Sequence, residues 1–179
     1  MKYDVIIIGA GLSGIGAACH LQRKNPTKKY KILEAREEIG GTWSLFKYPG
    51  IRSDSDMYTF GYSFKTWDDD KSFADAPSIL KYLHQATDEY DVKEKITFNQ
   101  KVVSYNFDTL QNLWTVKTIN PKTKEETLYT SQFIFNCSGY YNYDHGYTPE
   151  FEGLENFKGT FIHPQKWDEN LDYKNKKVV

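Results

Sequence analysis

The first 35 residues alternate between apolar segments and short polar turns. "YDVIII", residues 3–8, is a β-branched run typical of a strand that is buried on both faces. "GAGLSG" follows at once, and "IGAACHLQRK" then predicts a helix that begins with small residues. Asn25-Pro26 ends this helix, and "KYKILEA" is a second short apolar strand. The order strand, glycine turn, helix, strand predicts a βαβ unit with a parallel sheet.

The next segment, residues 36–64, has little regular period. Its mixture of Gly, aromatic and polar residues is typical of loops that build a binding site. A second helix is predicted over residues 75–92, where Asp75 is a candidate N-cap and Pro77 falls near the first turn. The apolar positions that repeat at helical spacing there are Ile79, Leu80, Leu83 and Ala86.

Three short apolar or alternating runs follow the second helix. They are "KITFNQKVVSYNFD", "LWTVKTIN" and "ETLYTSQFIFNCSG", separated by turn-rich segments. These runs predict a small antiparallel β-meander whose last part, "FIFNCSG", returns to the parallel sheet. The predicted fold class is therefore α/β: a Rossmann-like parallel sheet with helices, joined to an antiparallel meander. Val178 and Val179 resemble the start of another buried strand.

Composition narrows the function mainly by exclusion. The chain has 179 residues, enough for one domain with a buried core, and a formal charge of -1, which gives no electrostatic reason to expect nucleic acid or an anionic membrane. No stretch approaches the length of a membrane span, and the apolar run after Asp4 is too short for a signal peptide. Cys19 and Cys137 form no close pair, and no histidine has a partner at metal-ligand spacing. We therefore expect a cytoplasmic protein without a metal site.

A glycine pattern between the first strand and the first helix predicts a dinucleotide site. Gly9, Gly11 and Gly14 form G-x-G-x-x-G, in which the glycines permit a tight turn, close approach of a pyrophosphate and close helix packing. The helix N-terminus, including the N–H of Ser13, is then available to the phosphates. Glu34 can accept hydrogen bonds from both hydroxyls of an adenosine ribose, and its charge would repel a 2′-phosphate. FAD or NAD is expected here, and a glycine turn in a nucleotide-free domain is the alternative.

Three further segments carry a resemblance that separates FAD from NAD. "GGTWSLFKYPGIRSDSD", "FNCSGYY" and "FKGTFIHPQKWD" together resemble the class B flavoprotein monooxygenases, and specifically their Baeyer–Villiger branch. The resemblance implies that the Gly-Gly-x-Trp element lies along the ribityl chain and ring system of the flavin. The residues of this element and its continuation are Gly41, Thr42, Trp43, Ser44 and Leu45.

The family's Tyr-Pro-Gly-x-Arg-x-Asp element matches this sequence at Arg52 and Asp54. In relatives the aspartate lies at the reactive face of the flavin, so the resemblance makes Asp54 the candidate catalytic residue. A carboxylate there can orient a cationic partner and bias the charge of the reduced ring. A solvated surface loop is the alternative interpretation. The resemblance further places Ser138 and Gly139 at a second contact with FAD, and Val102 near its adenine.

The Baeyer–Villiger fingerprint, Phe-x-Gly-x-x-x-His-x-x-x-Trp followed by Pro or Asp, is complete in this chain. The matching residues are Phe157, Gly159, His163, Trp167 and Asp168. In the family this segment links the FAD and NADPH domains and moves between them, which implies a role in domain coupling. A lone loop histidine is ordinarily a hydrogen-bonded structural residue, so proton transfer by His163 is the weaker interpretation. The wider sequence is most similar to the ethionamide-activating subgroup.

The resemblance extends over essentially the whole chain but only about the first third of a full-length member. It implies that residues 1–156 form an FAD-binding domain without its C-terminal return, and that residues 157–179 form the fingerprint linker and the stub of an NADPH-binding domain. The implied cofactors are FAD and NADPH, the latter bound mostly outside this chain. The implied reaction is NADPH- and O2-dependent conversion of a ketone to an ester, with oxidation of sulfur compounds also open.

Two alternatives remain at the level of sequence. One is a sulfur- or nitrogen-oxidising flavin-containing monooxygenase without ketone activity, and the other is a non-enzymatic FAD-binding fragment. We expect an N-terminal fragment that is inactive by itself, retains FAD weakly and self-associates through an unpaired sheet edge. The partners expected for the parent enzyme are a small ketone or sulfur-containing substrate and O2.

Overall fold

The fold opens with the βαβ unit that the hydrophobic pattern predicts. The computed structural model describes residues 2–179, beginning with β1 (Lys2–Ile8), α1 (Leu12–Lys24) and β2 (Tyr30–Leu33). β1 and β2 pair in parallel with Ile7 opposite Ile32, and both side chains are fully buried. This arrangement leaves the glycine turn between β1 and α1 at the carboxyl edge of the sheet.

Short helices and a meander follow the first unit. A capped helix forms where the second helix is expected, because the Asp75 side chain accepts a hydrogen bond from the Ser78 N–H at 2.9 Å. Hydrogen bonds from Ser78 hold the pKa of the Asp75 carboxyl below its ordinary value. The remaining helices and strands are α2 (Thr42–Leu45), α3 (Met57–Phe60), α4 (Ala76–Glu89), β3 (Ile96–Thr97), β4 (Lys101–Asp108), β5 (Leu113–Ile119) and β6 (Glu126–Asn136). Single turns of 3-10 helix occupy Lys93–Lys95, Leu154–Asn156 and Pro164–Lys166.

Within residues 2–179, one mixed sheet of six strands contains both the parallel part and the meander, in the order β3-β2-β1-β6-β5-β4. β6 joins the two parts. Its first half pairs antiparallel with β5, with Ser131 opposite Trp114, and its second half pairs parallel with β1, with Phe135 opposite Ile7. The predicted α/β class is confirmed, including the return of "FIFNCSG" to the parallel sheet.

Two details differ from the sequence-based expectation. The run over residues 95–108 forms two strands, because Asn99 has a left-handed backbone (φ 56°) and donates its N–H to the Arg36 carbonyl at 3.0 Å. Its first part, β3, is a parallel edge strand beside β2 and does not belong to the meander. Val178 and Val179 form no strand and are exposed, since no neighbouring strand pairs with them within residues 2–179.

The main core lies between the parallel strands and the two long helices. Ile15 of α1 and Ile79 and Leu83 of α4 are fully buried in one cluster with Ile7 of β1 and Ile32 of β2. Each such side chain contributes roughly 1.5–3 kcal/mol of burial free energy. On the opposite face a smaller cluster joins Ile6 to Val116 of the meander. None of the helices within residues 2–179 is long and apolar enough to cross a membrane.

Candidate functional site

A long cleft runs along the carboxyl edge of the sheet, where a parallel α/β sheet binds its ligands. Its volume is about 1290 Å³, larger than the roughly 300–1,000 Å³ of a typical small-molecule pocket, and matches an extended dinucleotide better than a compact ligand. Of the residues singled out in the sequence, those that line it are Gly9, Gly11, Ser13, Glu34, Gly41, Thr42, Trp43, Leu45, Arg52, Asp54, Val102, Ser138 and Gly139. The structure thus brings segments separated by up to 130 residues into one cleft.

The glycine turn is built as the sequence predicts, but its three glycines do different things. Gly9 has a φ of +99°, and a Cβ there would lie 2.7 Å from the Cys137 carbonyl oxygen. A Cβ on Gly14 would lie 1.9 Å from the Gly9 carbonyl oxygen, so this glycine packs α1 on the turn and does not line the cleft. Gly11 has an ordinary φ of -80°, and a Cβ would meet nothing closer than the Gly41 Cα at 3.6 Å. Gly11 therefore keeps the cleft open for a ligand and is not required by the fold.

Glu34 lies at the end of β2 with 6% of its surface exposed. One carboxylate oxygen accepts the Ala10 N–H at 2.7 Å, and the other accepts the Arg36 N–H at 2.9 Å. These two bonds fix the carboxylate beside the glycine turn. Each oxygen keeps lone-pair capacity for a ribose hydroxyl, because an ionised carboxylate has about four acceptor positions.

The Gly-Gly-Thr-Trp segment forms a tight turn that approaches the first glycine turn. Gly40 and Gly41 have φ angles of +112° and +55°, and a Cβ on Gly41 would lie 3.1 Å from the Gly11 Cα. Trp43 packs edge-on against Phe60, with ring centroids 6.0 Å apart. Because the two turns approach each other, the part of the cleft beside the first glycine turn continues into the part that the resemblance assigns to the flavin.

Ser44 differs from its neighbours because it is buried under the turn and does not line the cleft. Its hydroxyl lies 2.7 Å from the Arg36 Nη1 and 3.2 Å from the Gly41 carbonyl oxygen. Nη1 of Arg36 also donates to the Gly41 carbonyl at 3.3 Å, and Nη2 pairs with Glu38. The guanidinium is therefore occupied by this turn, and neither it nor the negative Glu34 offers a binding group for a 2′-phosphate.

Asp54 also lines the cleft, and its side chain is exposed. The preceding residues are fixed, since the Ser53 N–H donates to the Ala74 carbonyl at 2.8 Å and Arg52 forms a β-bridge with Asp75. Tyr141 lies near Asp54. A hydrogen bond with Tyr140 raises the pKa of the Tyr141 hydroxyl, and the negative charge of Asp54 contributes in the same direction.

Asp56, the other acidic residue of this loop, has a structural role. It caps α3 by accepting the Thr59 N–H at 2.9 Å. Only Asp54 of these two carboxylates lines the cleft.

His163 of the fingerprint is held by main-chain groups on both ring nitrogens. The Gln165 N–H lies 3.1 Å from Nδ1 and must donate to it, so Nε2 carries the proton and donates to the Tyr147 carbonyl at 3.2 Å. The ring packs directly on Gly146, where a Cβ would lie 2.2 Å from Cε1. This geometry joins the fingerprint to residues 146–147 and leaves neither ring nitrogen free for proton transfer.

The other fingerprint residues form local contacts and do not converge on His163. The Phe157 ring covers Gly159, and Trp167 packs edge-on against Tyr173 with centroids 5.7 Å apart. Asp168 accepts the Asn170 N–H at 2.9 Å and so closes a turn. None of these residues lines the cleft, so the fingerprint is a scaffold beside the site.

A loop whose residues are not among the predicted site residues also lines the cleft. Residues 140–145, named here the cover loop, include Tyr143, whose ring lies 5.8 Å from the Arg36 guanidinium carbon. Asp144 pairs with Lys101 of β4 at 2.6 Å, and hydrogen bonding to Lys101 lowers the pKa of this carboxyl. The pattern "YYNYDHGY" gave a signal only through its tyrosines, since nothing in the sequence shows what they contact.

The two cysteines are not bonded to each other, and Cys19 is fully buried. Burial raises the pKa of the Cys19 thiol to about 12, and both Cys19 and Cys137 are free. Within residues 2–179 no group of three or more His, Cys, Asp or Glu side chains could hold a metal ion.

Comparison with known proteins gives consistent matches. The family model of an NAD(P)-binding Rossmann-like domain matches residues 7–83. The chain is 53% identical over 178 residues to the "Probable FAD-binding monooxygenase AlmA" of an Acinetobacter species, across 99% of this chain and 36% of that protein. It is 51% identical over 176 residues to the FAD-containing monooxygenase EthA of Mycobacterium tuberculosis H37Rv, across 98% of this chain and 36% of EthA.

A solved structure extends the likeness to the fold. The NADP+-bound cyclohexanone monooxygenase from Rhodococcus sp. Phi1 matches with a TM-score of 0.74 and 28% identity, across 96% of this chain and 32% of the enzyme. The chain thus spans about a third of the length of the relatives it matches. Over nearly all of its own length it is homologous to FAD-containing monooxygenases and has the fold of the equivalent part of a Baeyer–Villiger monooxygenase.

Proposed function

We propose that this chain is the FAD-binding part of an NADPH- and O2-dependent Baeyer–Villiger monooxygenase that converts ketones to esters, with oxidation of sulfur compounds also open. The observation that carries the proposal is the single cleft that joins Gly11 and Glu34 to the Gly41–Leu45 turn and Asp54. An NAD-dependent dehydrogenase would need the first two features but not the last two. The ketone substrate named for the cyclohexanone monooxygenases supports the choice of reaction.

The cleft fits FAD from one end to the other. Glu34 is fixed where it can accept hydrogen bonds from the ribose, and Gly11 leaves room for the pyrophosphate beside the start of α1. Thr42, Trp43, Ser138 and Gly139 also line the cleft, and Val102 lines it where the adenine is proposed to lie. When bound, the flavin supplies hydride and oxygen-transfer chemistry.

Asp54 is the proposed catalytic residue of this chain. Its side chain lines the same cleft as Glu34 and Arg52, in an exposed position that a substrate or a cationic group can reach. There it orients a positive partner and disfavours an additional negative charge nearby. Removal of its charge is expected to leave FAD affinity almost unchanged.

Residues 157–179 are proposed to couple this FAD-binding part, residues 1–156, to an NADPH-binding domain. Support comes from the contacts of His163, which fix the linker to residues 146–147 without using the cleft. The coupling role of Trp167 and Asp168 is proposed on the same basis. We also propose a cytoplasmic location, in line with the two free thiols.

A second candidate function is a non-enzymatic FAD-binding fragment, and it is favoured for the 179-residue chain alone. The cleft is open along Asp54, Tyr140 and Tyr141, all of which are exposed, so the flavin ring is enclosed poorly. We therefore expect FAD binding without NADPH-driven turnover. A sulfur- or nitrogen-oxidising flavin-containing monooxygenase is the enzymatic alternative, and comparing ketone with sulfide oxidation by the parent enzyme distinguishes the two.

The test is a visible absorption spectrum of the purified chain after incubation with FAD and removal of unbound cofactor. A retained flavin spectrum is expected for the wild type and its loss for Gly11→Ala, because the new methyl group fills the pyrophosphate space. The φ of Gly11 and its 3.6 Å neighbour permit alanine, so the unfolding temperature of this variant should match that of the wild type. Equal FAD retention by the two proteins would contradict the assignment of the cleft.

A further inference from the structure

We propose that Arg36 and Tyr143 form a clasp that holds the cover loop over the middle of the FAD cleft, and that both are positioning residues for the cofactor. The inference rests on the proposed function for the identity of the cofactor. It adds two residues that neither the glycine pattern nor the fingerprint contains.

Arg36 is the centre of the clasp because it contacts both Glu34 and the Gly40–Leu45 turn. Its main-chain N–H fixes Glu34 at 2.9 Å, and its side chain donates to the Ser44 hydroxyl at 2.7 Å and to the Gly41 carbonyl at 3.3 Å. The planar guanidinium can make these bonds together, which a lysine ammonium on a flexible stem cannot reproduce. Arg36 thus holds both the Glu34 carboxylate, which is proposed to bind the ribose, and the Gly40–Leu45 turn.

Tyr143 is the half of the clasp that the cover loop contributes. Its ring lies 5.8 Å from the Arg36 guanidinium carbon, within the range of a cation–π contact, and its hydroxyl would lie 3.4 Å from a Cβ on Gly41. The hydroxyl also interacts with the Thr42 side chain, and burial is the main cause of its raised pKa. Tyr143 is thus partly buried in a loop whose neighbouring residues are exposed.

The cover loop has further attachments on either side of Tyr143. Asp144 pairs with Lys101 of β4, and Tyr141 packs edge-on against Phe46 with centroids 5.0 Å apart. The Gln165 side-chain amide donates to the Asn142 carbonyl at 2.7 Å. Through this last bond, the clasp connects the cleft to the segment that contains His163.

The clasp predicts which substitutions increase the rate of FAD dissociation most. With the clasp closed, the cover loop covers the cofactor between its ribose and its flavin ring, so dissociation requires the loop to open. Loss of the Tyr143 ring should speed FAD dissociation more than loss of its hydroxyl alone. Arg36→Lys should reverse less than half of the increase in FAD dissociation rate caused by Arg36→Gln, because lysine lacks the forked geometry of the guanidinium.

The experiment measures FAD dissociation from the 179-residue chain by stopped-flow recovery of flavin fluorescence. We expect an increase of about three- to tenfold for Tyr143→Phe, in line with loss of one polar interaction, and a larger increase for Tyr143→Ala and Arg36→Gln. The matched control is Tyr147→Ala, since the Tyr147 side chain is 82% exposed and only its carbonyl makes a described contact. Its dissociation rate should equal that of the wild type.

A second measurement, hydrogen exchange of the FAD-free chain, keeps the inference testable when FAD is not retained. Tyr143→Phe and Arg36→Gln should raise exchange in residues 40–45 and 140–145, with no change in β1. Failure of the wild type to bind FAD, together with this exchange pattern, would overturn the proposed function and leave the clasp supported. Unchanged exchange and unchanged dissociation in both variants, at wild-type unfolding temperature, would overturn the clasp.

Discussion

The two halves of this chain use their apolar residues in opposite ways. Of the buried apolar residues within 2–179, all but Val116 and Tyr129 lie before residue 100. Of the large apolar residues that are exposed, all but Tyr58 and Phe73 lie after residue 100. The first half buries most of its apolar residues in a hydrophobic core, whereas the second half exposes large apolar side chains on its surface.

The difference follows from what covers each strand. β1 and β2 have α1 and α4 on one face and the smaller cluster on the other. The second half of β6 pairs with β1 but has no strand on its other side within residues 2–179, and Phe133 and Phe135 are 63% and 41% exposed. An exposed apolar group beside an open strand edge is characteristic of an interaction surface, so the two halves differ in function as well as in packing.

The largest expected effect comes from exchanging one glycine in each half for alanine. Gly14→Ala places a methyl group 1.9 Å from the Gly9 carbonyl oxygen and should reduce the free energy of unfolding by about 3 kcal/mol or more, since backbone must move. Gly139→Ala meets nothing within 4 Å but requires a φ of +75°, so it should cost only about 1–2 kcal/mol. Urea unfolding followed by circular dichroism measures both. Equal losses would show that the two halves are equally constrained.

The next effect compares a buried with an exposed apolar side chain. Ile32→Ala should lower the free energy of unfolding by about 2–5 kcal/mol, because Ile32 is fully buried in the main core. Phe133→Ala should change it by less than about 0.5 kcal/mol, as expected for an exposed position. Thermal or urea unfolding provides the values. A decrease of more than about 1 kcal/mol in the free energy of unfolding for Phe133→Ala would mean that Phe133 is packed in a core and that the second half also buries apolar residues.

Self-association through the unpaired part of β6 remains a prediction, and we expect its effect to be smaller than the effects on unfolding. Sedimentation velocity of the wild type should show oligomers that increase with protein concentration. Phe133→Ser combined with Phe135→Ser should shift the chain toward monomer, because the apolar surface at that edge is removed. The control pair is Tyr58→Ser and Phe73→Ser, which removes exposed aromatic residues of the first half. Equal shifts for the two pairs would mean that the open edge has no special role.

The smallest expected effect is a difference in thiol reactivity between Cys19 and Cys137. Cys19 is fully buried with a pKa of about 12, so at pH 8 its thiol is almost entirely protonated and should not react with Ellman's reagent. Cys137 is partly buried, and burial raises its pKa as well, so slow reaction of one thiol is expected. In denaturant both thiols should react quickly. Fast reaction of Cys19 in the native chain would show that the core of the first half opens readily.

The success of sequence reasoning also differed between the halves. In the first half, β1, the glycine turn, α1 and the Asp75 cap follow from local patterns, because hydrophobic period and capping chemistry are local properties. Ser44 was expected beside the cofactor but lies under the turn, bonded to Arg36. In the second half the meander and the return of its last strand to the parallel sheet are confirmed, whereas β3 pairs with β2 and does not belong to the meander.

The sequence by itself determined the strand order of the βαβ unit, the glycine turn, the position of Glu34 at a strand end and the presence of a fingerprint around His163. These features depend on residue type and on spacing along the chain. Only the tertiary structure decided that Arg36 and Tyr143, 107 residues apart, face each other across the cleft, and that His163 bonds main chain on both nitrogens. Contacts between distant loops depend on how the sheet brings their ends together, and no local pattern records that distance.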